Sequence, residues 1–487
     1  MMNYCTPEQV GISSRNVLRF YQELESWHLS THGVILSRGQ SIFSECYYAP
    51  FHKDFLHRAY SSTKSFVSVA IGFCQQDGFL SLDDPLSKFF PEYPGSSVHT
   101  STIRQMLQMR TTLQHPHSWF TSGTKDRVAW YFENAVQKTP GTLFTYDSTG
   151  SFILCAVVEK VTGKPFLEYL REKFLDDIGF SRDAYCLRCP GGHSWGDSGL
   201  LCTTQDLWRF ARFVLNGGTW EGKRYLEEGY LTEATNPEVP TNPYGFEDLN
   251  HNHGYGYQFW GNACGCFTTL GMGGQLTLCD PAHDFVFAIN SDNQGNPHGA
   301  MQIFLALHRH ILANLGDPLP EDPEAKAELD AYLSGQKLFC LPKSPVSSMA
   351  EKIRGRTFVC QENPMGLQWF RLAFAGDEGS LTYENQQGEK VLPFGLGRNV
   401  FAKFPQEGYS DTVGTVPVPG HRYDAAISAD WPSENTLRLR VQIVDKYFGN
   451  LSILIGFSDE YTATVRMEKT AEHFLDEYKG VAMASAR

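Results

Sequence analysis

Ser61 and Lys64, in Ala59-Tyr60-Ser61-Ser62-Thr63-Lys64-Ser65-Phe66, put a hydroxyl three residues before an amine at the head of an apolar run. Residues three apart share one face of a helix, so the two groups fall within hydrogen-bond reach. A lysine desolvated against apolar surroundings loses part of its preference for the charged form and becomes a base able to activate the serine. The same spacing recurs at Ser122/Lys125 and Ser334/Lys337, the first in a Ser-Gly-Thr turn and the second in a charged connector. Only Ser61 is followed by apolar residues at helical spacing, Phe66, Val69, Ala70 and Phe73, with Gly78 placed to stop the helix. A serine in this place also suits a plain helix cap.

A second set of groups lies in Phe144-Thr145-Tyr146-Asp147-Ser148-Thr149-Gly150, ahead of a helix expected from Ser151 to Val161. A phenol beside a cationic amine has its ionised form favoured, so Tyr146 and Lys64 can share a proton and pass it from Ser61 to a leaving group, with Ser148 holding the network in register. A tyrosine packed beneath a helix start, with Ser148 as its cap, fits the same residues. The third element is Thr268-Thr269-Leu270-Gly271-Met272-Gly273-Gly274-Gln275, followed by the strand-like Leu276-Thr277-Leu278. Glycines in a strand mark close backbone approach. Such an edge can aim the N–H groups of Ser61 and Met272 at a developing oxyanion; a β-bulge or hairpin is the alternative.

These groups need a scaffold to bring them together. Val34 to Phe43 reads as two strands around a turn at Arg38-Gly39, Ile103 to Met109 as a short helix, and Phe285 to Ile289 as a buried strand. Strands at both ends of the first 315 residues with helices between them give an α+β class, with one antiparallel sheet assembled from both ends of the segment. Pro318, Pro320 and Pro323 break this pattern, and a short helix near Ala325 to Leu333 follows. Beyond it come alternating segments such as Gln368 to Leu372, Thr436 to Val441 and Leu451 to Ile455. The expected division is a domain over 1–315, a linker over 316–345 and a β-rich, barrel-like domain over 346–487.

With 487 residues, 41% apolar, the chain is long enough for more than one core. Its formal net charge of −13 argues against nucleic acid or an anionic membrane as a main partner. The N-terminal residues do not read as a signal peptide, and no apolar run of about 18 residues predicts a membrane span. Twelve scattered cysteines, several inside apolar runs, suit reduced thiols and a cytoplasmic location. Cys186/Cys189 and Cys264/Cys266 could supply four thiolates, but the second spacing is too tight for an ordinary zinc knuckle, and His251/His253 and His308/His310 lack a nearby carboxylate arrangement. No metal and no cofactor is expected.

In order and content the three elements resemble the serine β-lactamase and penicillin-binding-protein superfamily, in particular its class C-like branch of esterases, amide hydrolases and D-amino-acid peptidases. S-x-x-K stands at Ser61 and Lys64, Y-x-S replaces the commoner Y-x-N at Tyr146 and Ser148, and the glycine strand follows. Supporting segments include His32-Gly33-Val34-Ile35, Gly78 to Pro85, Thr102 to Met109, and Gly199 to Leu207, so the resemblance covers nearly all of residues 5–310. It implies a sheet flanked by helices, a helical subdomain, a cleft between them and a two-step acyl-enzyme mechanism, with Ser61, Lys64 and Tyr146 catalytic and Ser148, Thr269, Gly271 and Met272 about the oxyanion and substrate.

One departure bears on the substrate. Where the superfamily's third motif carries Lys or His, this chain has Thr269 before Leu270-Gly271, so a handle for a substrate carboxylate is missing. The expected activity is therefore hydrolysis of a small ester or amide without that carboxylate. Acyl transfer to an alcohol or amine, D-amino-acid peptidase or β-lactamase activity, and a noncatalytic binding role are the alternatives. The aromatic segments Trp119-Phe120, Trp130-Tyr131-Phe132 and Tyr257 to Trp260 fit either an acyl pocket or plain core. For the C-terminal domain, capping the cleft, binding a partner and self-association into a homo-oligomer all remain open.

Overall fold

The computed structural model describes residues 3–111, 113–114, 118–137, 141–241, 253–413 and 417–486, and statements of absence below refer to these residues. The chain divides into two compact units, Met1–Lys337 and Leu338–Arg487. The division falls inside the segment expected to be a linker.

The first unit is built on a seven-stranded sheet. Its strands are β1 (Asn3–Tyr4), β2 (Thr31–Arg38), β3 (Ser41–Tyr47), β4 (Trp260–Gly261), β5 (Phe267–Gly271), β6 (Gln275–Asp280) and β7 (Phe285–Ser291), in the order β1-β3-β2-β7-β6-β5-β4. Both ends of the unit meet where β7 pairs antiparallel with β2, Phe287 opposite Leu36 and Ile289 opposite Val34. Only the short β1 runs parallel to its neighbour. β7 is buried along its whole length because the sheet is covered on both faces.

The helices that matter to the site and the core are α1 (Ser14–Ser26), α2 (Thr63–Gln76), α3 (Arg127–Asn134), α4 (Ser148–Thr162), α5 (Thr204–Leu215), α6 (Gly299–His310) and α7 (Pro323–Ser334). On one sheet face, Val17, Phe20 and Leu24 of α1 and Ile303, Phe304 and Leu307 of α6 form a core with Val34, Leu36, Leu278, Phe285 and Phe287. Leu329 of α7 joins the same core, which draws the helix after the proline-bearing stretch into the first unit. The other face is covered by α5, where Trp208 donates its indole N–H to Ser37 at 2.6 Å.

α2 is the centre of the helical part. The sequence places four apolar residues on one face, but twelve of its residues, Thr63 through Cys74, are buried, as suits a helix enclosed all round. Phe66 stacks on Phe210 at 3.7 Å and Phe73 on Phe174 at 5.5 Å between ring centroids. α4, expected to start at Ser151, begins one turn earlier at Ser148 and ends at Gly163, whose φ of 69° suits a glycine.

Two histidines in this unit make its stability depend on acid. His32 and His57 are both buried, 5.3 Å apart between ring centroids, in a cluster with Phe51. Burial pushes His57 down to about 3, and it pushes His32 well below the ordinary range. The unfolded chain then binds protons from about pH 6.5 downward while the folded chain stays neutral, so stability falls as the pH drops below that point. Each histidine contributes a slope of about 1.4 kcal/mol per pH unit until its folded-state value is reached. Urea unfolding at about pH 7.5 and about pH 5 should show a loss of several kcal/mol, and His57→Phe should remove about half of the slope. An equal slope in wild type and variant would refute this origin.

The second unit is a β-barrel. Ten strands from Phe358–Cys360 to Gly480–Ala486 form one sheet, and it closes where Gly388–Leu396 also pairs with Asp424–Ser433, Gly395 opposite Ser428 and Leu396 opposite Ala429. Alternation sets the inward side: along Thr462–Thr470, Ala463, Val465 and Met467 are buried and the residues between them face out.

Candidate active site

Ser61 occupies a single 3-10 turn, Tyr60–Ser62, which leads into α2. Tyr60 carries a φ of 46°, in the left-handed region that a non-glycine residue seldom adopts, and this bends the chain sharply between the strand ending at Arg58 and the helix. The turn is secured beneath: Ala59 donates its N–H to Leu200 O at 2.7 Å, and the Ser62 hydroxyl donates to Gln275 O at 2.7 Å. The Ser61 hydroxyl does not cap the helix. It accepts from Lys64 Nζ at 2.8 Å.

Lys64 lies in the first turn of α2 and is 1% exposed. Its amine also donates to the backbone carbonyl of Asp197 at 2.7 Å. Tyr146 is 39% exposed, immediately ahead of α4, with its ring stacked on Trp260 at 5.6 Å between centroids. Lys64 meets Tyr146 across the ring face, Nζ lying 5.2 Å from its centroid. Among the described hydrogen bonds none joins Lys64 to the Tyr146 hydroxyl. Gln258, itself at a φ of 62°, ties the parts together: its Oε1 accepts from Ser151 of α4 at 2.7 Å, its backbone O from Ser65 of α2 at 2.7 Å, and its Nε2 donates to Leu107 O at 2.7 Å.

The glycine-rich segment is a tight hairpin between β5 and β6. Gly274 donates its N–H to Gly271 O at 3.1 Å, and Gly273 and Gly274 have φ of 80° and 94°. A methyl group on Gly271 would sit 2.2 Å from Ala59 O, so the end of β5 is pressed against the turn that carries Ser61 and only glycine allows the approach.

Ser61, Tyr146, Trp260, Leu270, Gly271 and Met272 line one cavity of about 350 Å³. Gly273, Gly274, Asn293, Asn296, Pro297 and Ala300 complete it, and none of these residues is charged. Asn293 is fixed from behind, its Oδ1 accepting from Ser30 N at 2.8 Å.

The structure thus brings Ser61, Tyr146, Gly271 and Met272 to the cavity lining, joins Lys64 to it through its bond to Ser61, and leaves Ser148 and Thr269 out. Thr269 shares a face of β5 with Gly271 but is buried beside its cross-strand neighbour Thr277, the two hydroxyls 3.0 Å apart, and does not line the cavity. Ser148 is the half-buried first residue of α4. Of the aromatic segments, only Trp260 lines the cavity; Trp119, Trp130, Tyr131, Phe132, Tyr257 and Phe259 are buried as packing.

Asp197, Asn293 and Asn296 did not stand out in the sequence. Asp197 meets Lys64 through its backbone, which no side-chain motif encodes, and Asn293 to Pro297 reads as ordinary loop chemistry. His251 lies outside the described residues, and among those described no group of His, Cys, Asp and Glu is arranged to hold a metal ion.

Comparison with known proteins agrees with this architecture. The chain is 26% identical over 279 residues to the 6-aminohexanoate-dimer hydrolase of Paenarthrobacter ureafaciens, covering 53% of this chain and 71% of that protein. A putative 6-aminohexanoate-dimer hydrolase from Bacillus anthracis superposes with a TM-score of 0.52 at 18% identity, over 66% of this chain and 89% of that one. The octameric penicillin-binding protein homologue from Pyrococcus abyssi does so with a TM-score of 0.51 at 16% identity, over 96% and 99% of the two chains. The family model for Beta-lactamase matches residues 31–308, more than half of the chain. With its serine and lysine paired above a glycine-edged strand, the chain belongs to the Beta-lactamase family, within the serine β-lactamase and penicillin-binding-protein superfamily.

Proposed function

We propose that this protein hydrolyses a small, uncharged ester or amide through an acyl-enzyme on Ser61. The observation that carries the reading is the 2.8 Å hydrogen bond from Lys64 Nζ to a serine hydroxyl at the wall of a cavity without charged side chains. In its neutral form Lys64 accepts the hydroxyl proton as Ser61 Oγ bonds to the substrate carbonyl carbon. The carbonyl electron pair moves to oxygen, and the resulting oxyanion is met by the N–H groups of Ser61 and Met272. Collapse expels the alcohol or amine, which takes a proton by way of the Tyr146 hydroxyl. Water then repeats the sequence on the acyl-enzyme and frees the acid.

The neutral lining supports the choice of substrate. A carboxylate placed there would be desolvated without a cationic partner. A relative named for hydrolysis of the 6-aminohexanoate dimer, an amide, points to the same bond class. Intact mass after exposure to a fluorophosphonate should rise by one adduct per chain at Ser61. Matched p-nitrophenyl esters with and without a terminal carboxylate should differ by at least about tenfold in kcat/KM in favour of the neutral one, the discrimination expected from one unpaired buried charge. Equal turnover, or a preference for the carboxylate, would refute the substrate class.

Tyr146→Phe tests the relay separately. Because the hydroxyl serves the leaving group, the variant should lose about 10²-fold or more on alkyl esters and anilides and much less on p-nitrophenyl esters, whose leaving group needs no proton. A uniform loss across leaving groups would assign Tyr146 to packing against Trp260 instead.

A further inference from the structure

The carbonyl that receives Lys64 belongs to a turn, 195–199, where no strand or helix holds it in place. Backbone bonds close the turn, Gly199 donating its N–H to Trp195 O at 2.7 Å and Leu187 to Gly199 O at 2.9 Å, and buried side chains pin Asp197 and Ser198 within it. Asp197 is 3% exposed, and its carboxylate accepts two hydrogen bonds from the equally buried Arg127 of α3, at 2.8 and 3.0 Å. The Arg127 guanidinium lies against the faces of Phe152 and Trp119, at 4.5 and 5.2 Å, and also donates to Thr149 in the first turn of α4 at 3.4 Å. On the opposite side, Arg58 donates to Ser198 O at 2.9 Å while held between the rings of Tyr60 and Trp195, each 4.1 Å away.

We propose that Arg127 and Asp197 are positioning residues for Lys64, their buried ion pair aiming the Asp197 carbonyl so that the amine presents its lone pair to Ser61. The inference rests on the acyl-enzyme reading above. A neutral amine has two N–H bonds and one lone pair; committing one N–H to the Asp197 carbonyl restricts rotation about the Cε–Nζ bond and leaves the lone pair for the Ser61 proton. When the proton arrives, the same carbonyl dipole faces the ammonium charge. Stability alone does not call for such a pair, since a buried ion pair repays its desolvation poorly and apolar residues of similar volume do as well. What the pair adds is a fixed direction, as the planar fork of arginine locks a carboxylate in two places at once.

The test measures the rate constant and the final stoichiometry of Ser61 phosphonylation by a fluorophosphonate, well below the melting temperature, together with kcat and KM on a neutral p-nitrophenyl ester. Asp197→Asn and Arg127→Gln should slow phosphonylation by about 10- to 100-fold, the loss expected from a misplacement of up to about 1 Å, while labelling still approaches one per chain. The slowing should appear in kcat, with KM changed less than about threefold. Arg127→Lys, which keeps the charge without the fork, should recover part of the rate, and the double variant Arg127→Gln/Asp197→Asn should be no slower than the worse single one. Wild-type rate constants on a smaller labelled fraction would reduce the pair to a structural role and overturn the proposal, as would wild-type behaviour throughout. A wild type that fails to label at Ser61 overturns the acyl-enzyme reading and this inference with it, whereas a labelled wild type with unaffected variants overturns the inference alone.

Discussion

Ser61→Ala should lower kcat/KM by at least about 10⁴-fold and abolish fluorophosphonate labelling, while circular dichroism and melting temperature stay near wild type. The fold tolerates the change because the turn does not depend on this hydroxyl: Ala59 and Ser62 make the bonds that hold it, to Leu200 and Gln275. Lys64 loses one acceptor but keeps the Asp197 carbonyl. The loss is therefore chemical, about 5 kcal/mol of transition-state stabilisation at that fold-change. A variant that retains a tenth of wild-type activity would locate the nucleophile elsewhere.

Lys64→Met should cost a comparable factor, about 10³- to 10⁵-fold, and the double variant with Ser61→Ala should be no worse than the single ones, because the pair acts as one unit. Methionine suits the test. The Lys64 side chain is enclosed in α2 at 1% exposure, and a flexible apolar chain of similar length fills the space without leaving a buried charge. Packing is thereby separated from proton transfer: a stable Lys64→Met protein that no longer labels isolates the base. Additive losses in the double variant, or a Lys64→Met protein with undiminished labelling rate, would remove Lys64 from the proton path.

These two residues share a site with groups that act by what they exclude. A methyl group on Gly271 would collide with Ala59 O, so the closeness of the β5 edge to the nucleophile turn is a steric property of one glycine. The lining from Trp260, Leu270, Met272 and the amides of Asn293 and Asn296 carries no charge, which is the ground for proposing a neutral substrate. The nearby Arg127–Asp197 pair is held out of the cavity and turned toward the backbone that supports Lys64.

Contacts that are local along the chain are legible in the residues alone. Ser61 and Lys64 meet because helical pitch brings positions three apart together whatever surrounds them, and the observed 2.8 Å bond is that spacing realised. The barrel strands are legible through a short-range regularity too, the alternation of buried and exposed side chains, whereas those around Val34 and Phe285 read as short continuous apolar runs and are buried nearly throughout. Ser148 and Thr269 show where such reasoning stops. Both stand in recognisable motifs, but a motif does not say what a side chain packs against: Thr269 is buried beside Thr277 and stays out of the cavity that Leu270 lines. Long-range packing sets the rest: Lys64 meets the face of the Tyr146 ring, Asn293 and Asn296 join the cavity lining, and a carbonyl 133 residues away receives the amine. A backbone carbonyl has no signature in the side-chain code, so nothing along the chain marks Asp197 as the partner of Lys64.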